Sequence, residues 1–457
     1  MACATLPGVR LLLLVGLVVA AACGGDGDGA SGEADVEPAA TVRVPADHPT
    51  IQAAVDAAEP GDLILVEPGV YEESVTIETP EVTLRGTDRN EVVLDGGFEL
   101  DNGVRVAGAN GVAVENMTAR NYTSNGFFWT GVEGYRASYL TAYRIGAYGI
   151  YAFDSTGGLI EHSAAAGSVE AGFYVGQCFP CDTVLDDVLA EHNGIGYTGT
   201  NAGGDLTILN STFRHNRVGI MPNSGTYELC FPERDTTVAG NLVHSNNQPD
   251  TPATRSALRN MGSGIVVYGG THNLITRNRV ADQERAGIAL FSRREDDPND
   301  ALPPASEDDR PCREARLEPA ADPADIPESL DWDARDNRVV GNVVSGSGLA
   351  DLATATLGAD PAALGNCFAD NRYESSAPVD LEDLAGCDSP STGDWTAGAL
   401  DLAALLEAEV APSGDYTTTP VPAAQPGMPD AATAPARPAT EAPTQPDPDA
   451  VEIPAAP

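Results

Sequence analysis

Apolar residues recur along this chain at a fixed distance behind a glycine. The glycines are Gly103, Gly126, Gly149, Gly172, Gly196, Gly219, Gly264 and Gly287, at intervals of 23, 23, 23, 24, 23, 45 and 23. The residue after each is Val104, Phe127, Ile150, Phe173, Tyr197, Ile220, Ile265 and Ile288. Two further on stand Val106, Trp129, Ala152, Val175, Gly199, Pro222, Val267 and Leu290. Strand alternation sends both positions to one face. Stacking such rungs at ~4.8 Å builds continuous apolar columns. A period in the twenties with strand-like patterning predicts a solenoid. The long interval is either two periods with one glycine missing or one period with an insertion around 246–262.

A second strand follows in most periods, as in Val112–Val114, Leu159–Ile160, Val184–Leu185, Leu206–Ile208, Leu274–Ile275 and Val339–Val340. Polar residues recur at its far end: Asn116, His162, Asp187, Ser211, Asn241, Asn278 and Asn342. Asn121, Asn193, Asn216 and Asn246 mark further turns. Asparagine tolerates the left-handed backbone of a tight turn. Stacked asparagines can also ladder their amides, so these residues read as structural. Upstream, Ile51, Ala54, Val55 and Ala58 have helical spacing. A solenoid end exposes an apolar cross-section, and this short helix suits the task of capping it.

The run Thr50–Ala58, Gly61-Asp62, Pro68-Gly69-Val70-Tyr71 and Leu84-Arg85-Gly86 resembles the N-terminal cap and first rungs of a known superfamily. These are the right-handed parallel β-helix proteins of the pectin-lyase-like superfamily. His192-Asn193-Gly194-Ile195-Gly196 and His215-Asn216-Arg217-Val218-Gly219 resemble the repeat of its carbohydrate-binding and sugar-hydrolase branch. The resemblance implies an all-β fold, a right-handed parallel β-helix with a short N-terminal capping helix, over about residues 42–345. It is specific for fold and weak for activity, because members include lyases, hydrolases, esterases, epimerases and proteins with no known reaction. The motifs of polygalacturonases, pectin methylesterases, pectate lyases and alginate epimerases are not reproduced. Only the pair Asp186-Asp187 answers to one of them.

Charge sharpens the picture. The chain carries 68 acidic residues against 25 basic ones, a net charge of -43. Nucleic acid is thereby excluded as an expected partner, since phosphate binding needs a basic face. Every basic residue is arginine, so lysine chemistry is excluded. Residues 24–41, 292–336 and 401–457 contribute -5, -9 and -8. About half the acidity therefore belongs to a tether, a loop and a tail, where it favours solvation.

Residues 1–22 read as a signal peptide: Arg10, then an apolar run from Leu11 to Ala22 that is short for a membrane span. The segment Ala20-Ala21-Ala22-Cys23-Gly24-Gly25 resembles a bacterial lipoprotein signal. That implies lipidation at Cys23 and a cell-surface, extracellular location at the outer face of a membrane. Ordinary secretion after an A-x-A site is the alternative. Cys178, Cys181, Cys230, Cys312, Cys367 and Cys387 remain, and an even count in an exported chain favours disulfides. Spacing selects no pairing; the expectation is Cys178–Cys181, Cys230–Cys312 and Cys367–Cys387. The spacing of Cys178 and Cys181 also admits a redox or metal role, although no second such pair exists to complete a zinc site.

The outward position of the glycine-led strand holds Arg105, Phe128, Tyr151, Tyr174, Thr198 and Met221. Three aromatic rungs in a row could form a platform for glycan rings, or could lie beneath a covering loop. Beside them stand Asp154, Gln177, Asn201 and Ser224, with Asp182, Asn223, Tyr227 and Glu228 nearby, and the turn-rich loops Gly199–Gly204 and Pro222–Glu228 could form one wall of a groove. Phe128, Tyr151, Tyr174, Gln177, Asn201 and Asn223 are the candidate glycan-binding residues. Asp154 and Asp182 are candidate acid and base, or ligands for calcium, with Arg217 to neutralise a uronate. The bland alternative is solvated turn carboxylates. No other cofactor is expected, and no metal site beyond that optional calcium. His192 and His215 align one period apart but lack a third ligand in register.

The expected organisation is a signal peptide (1–22), a linker (23–41), a β-helix (42–345) with an acidic insertion (292–336), a C-terminal cap (346–411) and a disordered proline-, alanine- and threonine-rich tail (412–457). Leu349–Ala353 and Ala399–Val410 read as helical within the cap, and Asn366–Asn371 as a last strand and turn. The function read from the sequence is binding of an extracellular polysaccharide, with cleavage or modification by a lyase or hydrolase as the sharper form. The competing reading is a non-enzymatic cell-envelope scaffold or protein-binding module.

Overall fold

In the computed structural model, residues 40–296, 298, 312, 327–388 and 393–457 are described. The expected signal peptide, Cys23, the linker up to residue 39 and most of the acidic insertion lie outside the described residues. Among the described residues, parallel strands form three sheets of 12, 11 and 10 strands wound around one core. The architecture is the right-handed parallel β-helix that the sequence implied.

One turn of the winding shows the order. Asn102–Ala107 belongs to the 11-stranded sheet, here sheet 2. Val112–Glu115 belongs to the 12-stranded sheet 1 and Thr118–Tyr122 to the 10-stranded sheet 3. Asn125–Thr130 then returns to sheet 2 and pairs with the strand one turn below, Phe127 on Val104 and Trp129 on Val106. The same register carries Ile150 on Phe127, Phe173 on Ile150, Tyr197 on Phe173 and Ile220 on Tyr197. These side chains are all buried. The long interval is a single turn, because Val218–Asn223 pairs directly with Ser263–Tyr268. The extra residues lie between strands, in part as the helix Arg255–Arg259.

The asparagines ladder as expected, with a division of labour the sequence did not show. Asn241 Nδ2 donates to Asn278 Oδ1, Asn278 to Asn342 and Asn342 to Asn371, at 3.0, 3.0 and 2.9 Å. A second ladder runs from Asn193 to Asn216 to Asn246. Asn116 and Asn121 take the left-handed backbone themselves, with φ of 56° and 60°. In the ladders the preceding residue does so instead: His192, His215 and Ser245 have φ of 59°, 54° and 55°. The neighbour makes the corner, and the asparagine spends its amide on the next rung.

The helix Ile51–Ala57, capped by the Thr50 hydroxyl on Ala53 N, closes the N-terminal end. The winding begins one residue before the expected boundary, at Thr41–Val44, and runs well past 345. Ala350–Ala355, Cys367–Ala369 and Ser376–Ala377 continue sheets 2 and 1. Leu349–Ala353, read as helical, is therefore corrected to strand: Leu352 stacks on Ile288 and completes its column. The last α-helix among the described residues is Leu402–Glu407. The cysteines pair as Cys178–Cys181, Cys230–Cys312 and Cys367–Cys387.

The expectation of a disordered tail is also corrected. Residues 412–457 lie on the outer faces of sheets 3 and 1 as a mostly irregular chain, broken by the 3-10 helices Tyr416–Thr418 and Pro448–Ala450 and by a turn at 430–434. Arg144 Nε donates to Thr419 O at 2.8 Å, and Arg279 Nε to Pro454 O at 2.6 Å. The tail buries almost nothing apolar of its own. Its order comes from hydrogen-bond partners on the solenoid, remote in sequence.

Candidate functional site

Sheet 2 presents its outward side chains as a ladder with one open end. Arg105 is exposed, and its guanidinium lies 5.8 Å from the centre of the Phe128 ring. Phe128 and Tyr151, register partners, stack at 4.7 Å with 13° between their planes. Tyr148 stacks on Tyr151 at 4.4 Å, and Tyr174 meets Tyr151 edge-on at 4.8 Å. Phe128, Tyr148 and Tyr151 remain half-buried, while Tyr174, Thr198 and Met221 are covered. The aromatic row is thus divided between partly exposed and covered residues. The first two rungs are an open platform, and from Tyr174 onward a loop closes over the sheet.

That loop lies between Asn223 and Arg234 and carries Glu228. The Tyr174 hydroxyl donates to both carboxylate oxygens of Glu228, at 2.5 and 2.6 Å. Burial pushes the Glu228 carboxyl up to about 8, the Tyr174 hydrogen bond holds it down in part, and the charge of Glu170 adds to the rise. Glu170 in turn accepts from the Tyr148 hydroxyl at 2.8 Å. Two carboxylates and three tyrosines therefore meet at the closed end of the platform. The sequence reading set Glu228 beside the aromatic row but gave it no role, and it missed Glu170 and Tyr148. Tyr148 could have been found in the column immediately before the recurring glycine. Glu228 sits in an insertion, where the period carries no address.

Two expected glycan-binding residues serve this loop instead. Asn201 is fully buried, and its Nδ2 donates to Gly225 O at 2.6 Å and to Glu228 O at 2.7 Å. Asn223 Oδ1 accepts from the Tyr227 hydroxyl at 2.9 Å, and its Nδ2 donates to Thr198 Oγ1 at 3.0 Å. Neither amide is presented to solvent, so both are corrected to loop supports. Gln177 Oε1 also accepts from the loop, from Leu229 N at 2.9 Å. Arg217 is corrected further. It is fully buried and directs its donors at the carbonyls of Thr251, Ala411 and Pro412. It faces no carboxylate groove and cannot meet a uronate there.

Asp154, Gln177 and Asp182 do come together. They line a groove of about 960 Å³ at the turn from sheet 2 to sheet 1, with Glu81, Asn110 and Glu133 on earlier rungs. Asp154 and Asp182 occupy left-handed corners, φ 56° and 47°. Burial raises the Asp182 carboxyl above its ordinary range, and Asp205 adds to this. The groove adjoins the platform through Phe153, which precedes Asp154 and lies 5.9 Å from the Tyr151 ring. Its far wall is the tail, through Arg437, Thr440 and Glu441.

His192, His215 and His244 form a row with rings 5.8 and 5.6 Å apart. Among the described residues, no three or more His, Cys, Asp or Glu side chains converge as a metal site.

The family described as "Right handed beta helix region" matches residues 100–297. No curated protein matches the chain. Among solved structures, the mannuronan C-5 epimerase A-module of Azotobacter vinelandii is 16% identical with a TM-score of 0.42, covering 70% of this chain and 90% of its own. The catalytic unit of an α-1,3-glucanase from Streptomyces thermodiastaticus is 13% identical with a TM-score of 0.43, covering 78% and 72%. A rhamnogalacturonan lyase is 10% identical with a TM-score of 0.42, covering 71% and 80%.

Proposed function

We propose, for this right-handed parallel β-helix of the pectin-lyase-like kind, that it binds a polysaccharide across Phe128 and Tyr151 and along the adjoining groove. The observation that carries the reading is the open aromatic stack running into a carboxylate-lined channel. A pyranose ring offers a face of C–H groups that packs on an aromatic ring, and its hydroxyls take up carboxylates and amides along the channel. The location proposed is the cell surface, supported by the run Arg10–Gly25 and its candidate lipid anchor Cys23.

Replacing Tyr151 by alanine should weaken binding roughly 2- to 10-fold, the worth of one stacked aromatic contact. Tyr151→Trp should preserve it. Affinity electrophoresis in gels containing pectin, alginate or laminarin reads this directly. Equal migration of wild type and Tyr151→Ala in a gel that retards both would remove the platform from the reading.

The sharper form is a lyase or hydrolase. Glu228, protonated near neutral pH, is the group best suited to donate a proton to a leaving oxygen. Glu228→Gln should then abolish release of reducing or unsaturated sugars while retardation persists. The closure of the sheet over Tyr174, Thr198 and Met221 favours the second reading, a non-enzymatic binding scaffold. In that case retardation occurs with no product from any polymer.

A further inference from the structure

Six arginines make the tail and the solenoid one object, and their bonds share one chemistry. Arg217 Nη1 and Nη2 donate to Ala411 O and Pro412 O at 2.7 and 2.6 Å. Arg144 holds Thr419 O, and Arg89 Nη1 holds Pro426 O at 2.9 Å. Arg85 reaches Ala434 O and Pro435 O at 3.2 and 2.8 Å, where the tail reverses. Tail residue Arg437 ties the reversal down on Gly61 O at 3.0 Å. On the returning arm Arg279 holds Pro454 O. Each of these bonds runs from a guanidinium to a main-chain carbonyl.

This chemistry selects for an extended proline-rich chain. Proline has no N–H, and a polyproline-type backbone makes no internal hydrogen bonds, so its carbonyls are free acceptors. Guanidinium groups are donors only. The track therefore matches what such a chain offers between its turns, and Arg437, Ser413 and Gln445 add side-chain bonds to the solenoid. The apolar anchoring is slight: of residues 412–457 only Thr419, Ala431 and Val451 are buried. Val451 joins Val184, Leu209 and Ala239 in a small cluster on sheet 1. A segment with so little buried apolar surface is a local unit that can open without unfolding the body.

We propose that the outer faces of sheets 3 and 1 are a peptide-binding track for an extended proline-rich segment, filled in cis by residues 411–457, and that this occupant gates the groove. The gating half rests on the polysaccharide reading. Thr440 and its neighbours form the groove's far wall against Glu133, Asp154 and Asp182. A polymer longer than the groove must displace them to extend over the turns beneath. The empty track would also bare Arg85, Arg89, Arg144, Arg217 and Arg279, a basic stripe on an otherwise acidic protein.

The test uses the full folded chain with a protease site placed at the exposed residues 407–409. After nicking, only the track retains the tail. The nicked protein should release it on dilution and bind a fluorescent synthetic peptide 411–457 saturably. A peptide carrying Val451→Asp should bind about tenfold more weakly, because it buries a carboxylate in an apolar cluster. A tail that neither leaves nor exchanges overturns the track. In pectin, alginate and laminarin gels, the tail-free protein should be retarded more strongly than the same protein refilled with peptide. Exchange with unchanged retardation overturns the gate alone. Exchange with no retardation in any gel leaves the track standing and overturns the polysaccharide reading on which the gate depends.

Discussion

Glu115→Ala is expected to lower the stability of the fold by about 3–5 kcal/mol, the cost of removing one partner from a buried ion pair. The Glu115 side chain is wholly buried and accepts from Arg85 Nε at 2.7 Å and from Arg136 Nε at 3.0 Å. Arg136 is partly exposed and also reaches Glu161, so it survives the loss. Arg85 does not. Its side chain is itself wholly buried, and its remaining bonds go to tail carbonyls at Ala431, Ala434 and Pro435. Without Glu115 a guanidinium is left in the interior with neutral acceptors alone. Urea unfolding of wild type, Glu115→Ala and Glu115→Gln measures the effect, and Gln should fall between the two because it keeps an acceptor. The double variant Arg85→Met with Glu115→Leu should recover most of the stability, since an apolar pair can replace a buried ionic one at little cost. It should still loosen the tail's reversal, visible as faster proteolysis near Pro435. A loss below about 1 kcal/mol in Glu115→Ala would mean that water reaches Arg85.

What could be read from the sequence follows from how a solenoid is built. Each residue packs on its own counterpart one period away, so Val104, Phe127, Ile150 and Phe173 announce a shared column without any knowledge of distant contacts. Asp154 and Gln177 were legible for the same reason: a position five residues behind the glycine is an address, and both line the groove. The failures fall where the address is lost. Glu228 lies in an off-period insertion, so the sequence could set its loop beside the aromatics but not pair its carboxylate with Tyr174. Leu349–Ala353 is short and built of residues that suit a helix, and only the column under Ile288 makes it a strand. Arg217 had a correct address and a wrong direction, because its partners at Ala411 and Pro412 are 194 and 195 residues away. The tail was misread on composition. Low hydrophobicity argues against a core of its own, but it does not count donors supplied by another part of the chain.

Stability should fall as pH rises from about 5 to about 8, and two carboxyls explain most of that fall. Glu233 is fully buried, with Thr236 Oγ1 donating to Oε1 at 2.8 Å and Asn273 Nδ2 to Oε2 at 2.9 Å. Burial pushes its carboxyl up to about 8 from an ordinary 4.5, and the bonds from Asn273 and Thr236 offset only part of the rise. Glu228 is raised to about 8 as well. In the window between those values the folded chain holds a proton that the unfolded chain has released. The stabilisation is therefore complete below about 4.5 and is lost as pH climbs through about 8, at up to ~1.4 kcal/mol per pH unit for each group. General repulsion in a chain of net charge -43 pushes the same way, so the wild-type slope alone does not identify the groups. The difference between proteins does. Glu233→Gln keeps the shape of the neutral acid: its carbonyl can accept from Asn273 while its amide donates to the Thr236 hydroxyl. Urea unfolding at pH 5, 6, 7 and 8 should show Glu233→Gln close to wild type at pH 5 and more stable by a few kcal/mol at pH 8. Glu228→Gln should show a smaller gain, because its residue is partly open to solvent, and the double variant should keep only the shallow slope of general repulsion. Parallel curves for wild type and Glu233→Gln would mean that Glu233 is ionised in the folded protein throughout. Some cation or water would then have to reach it between Thr236 and Asn273.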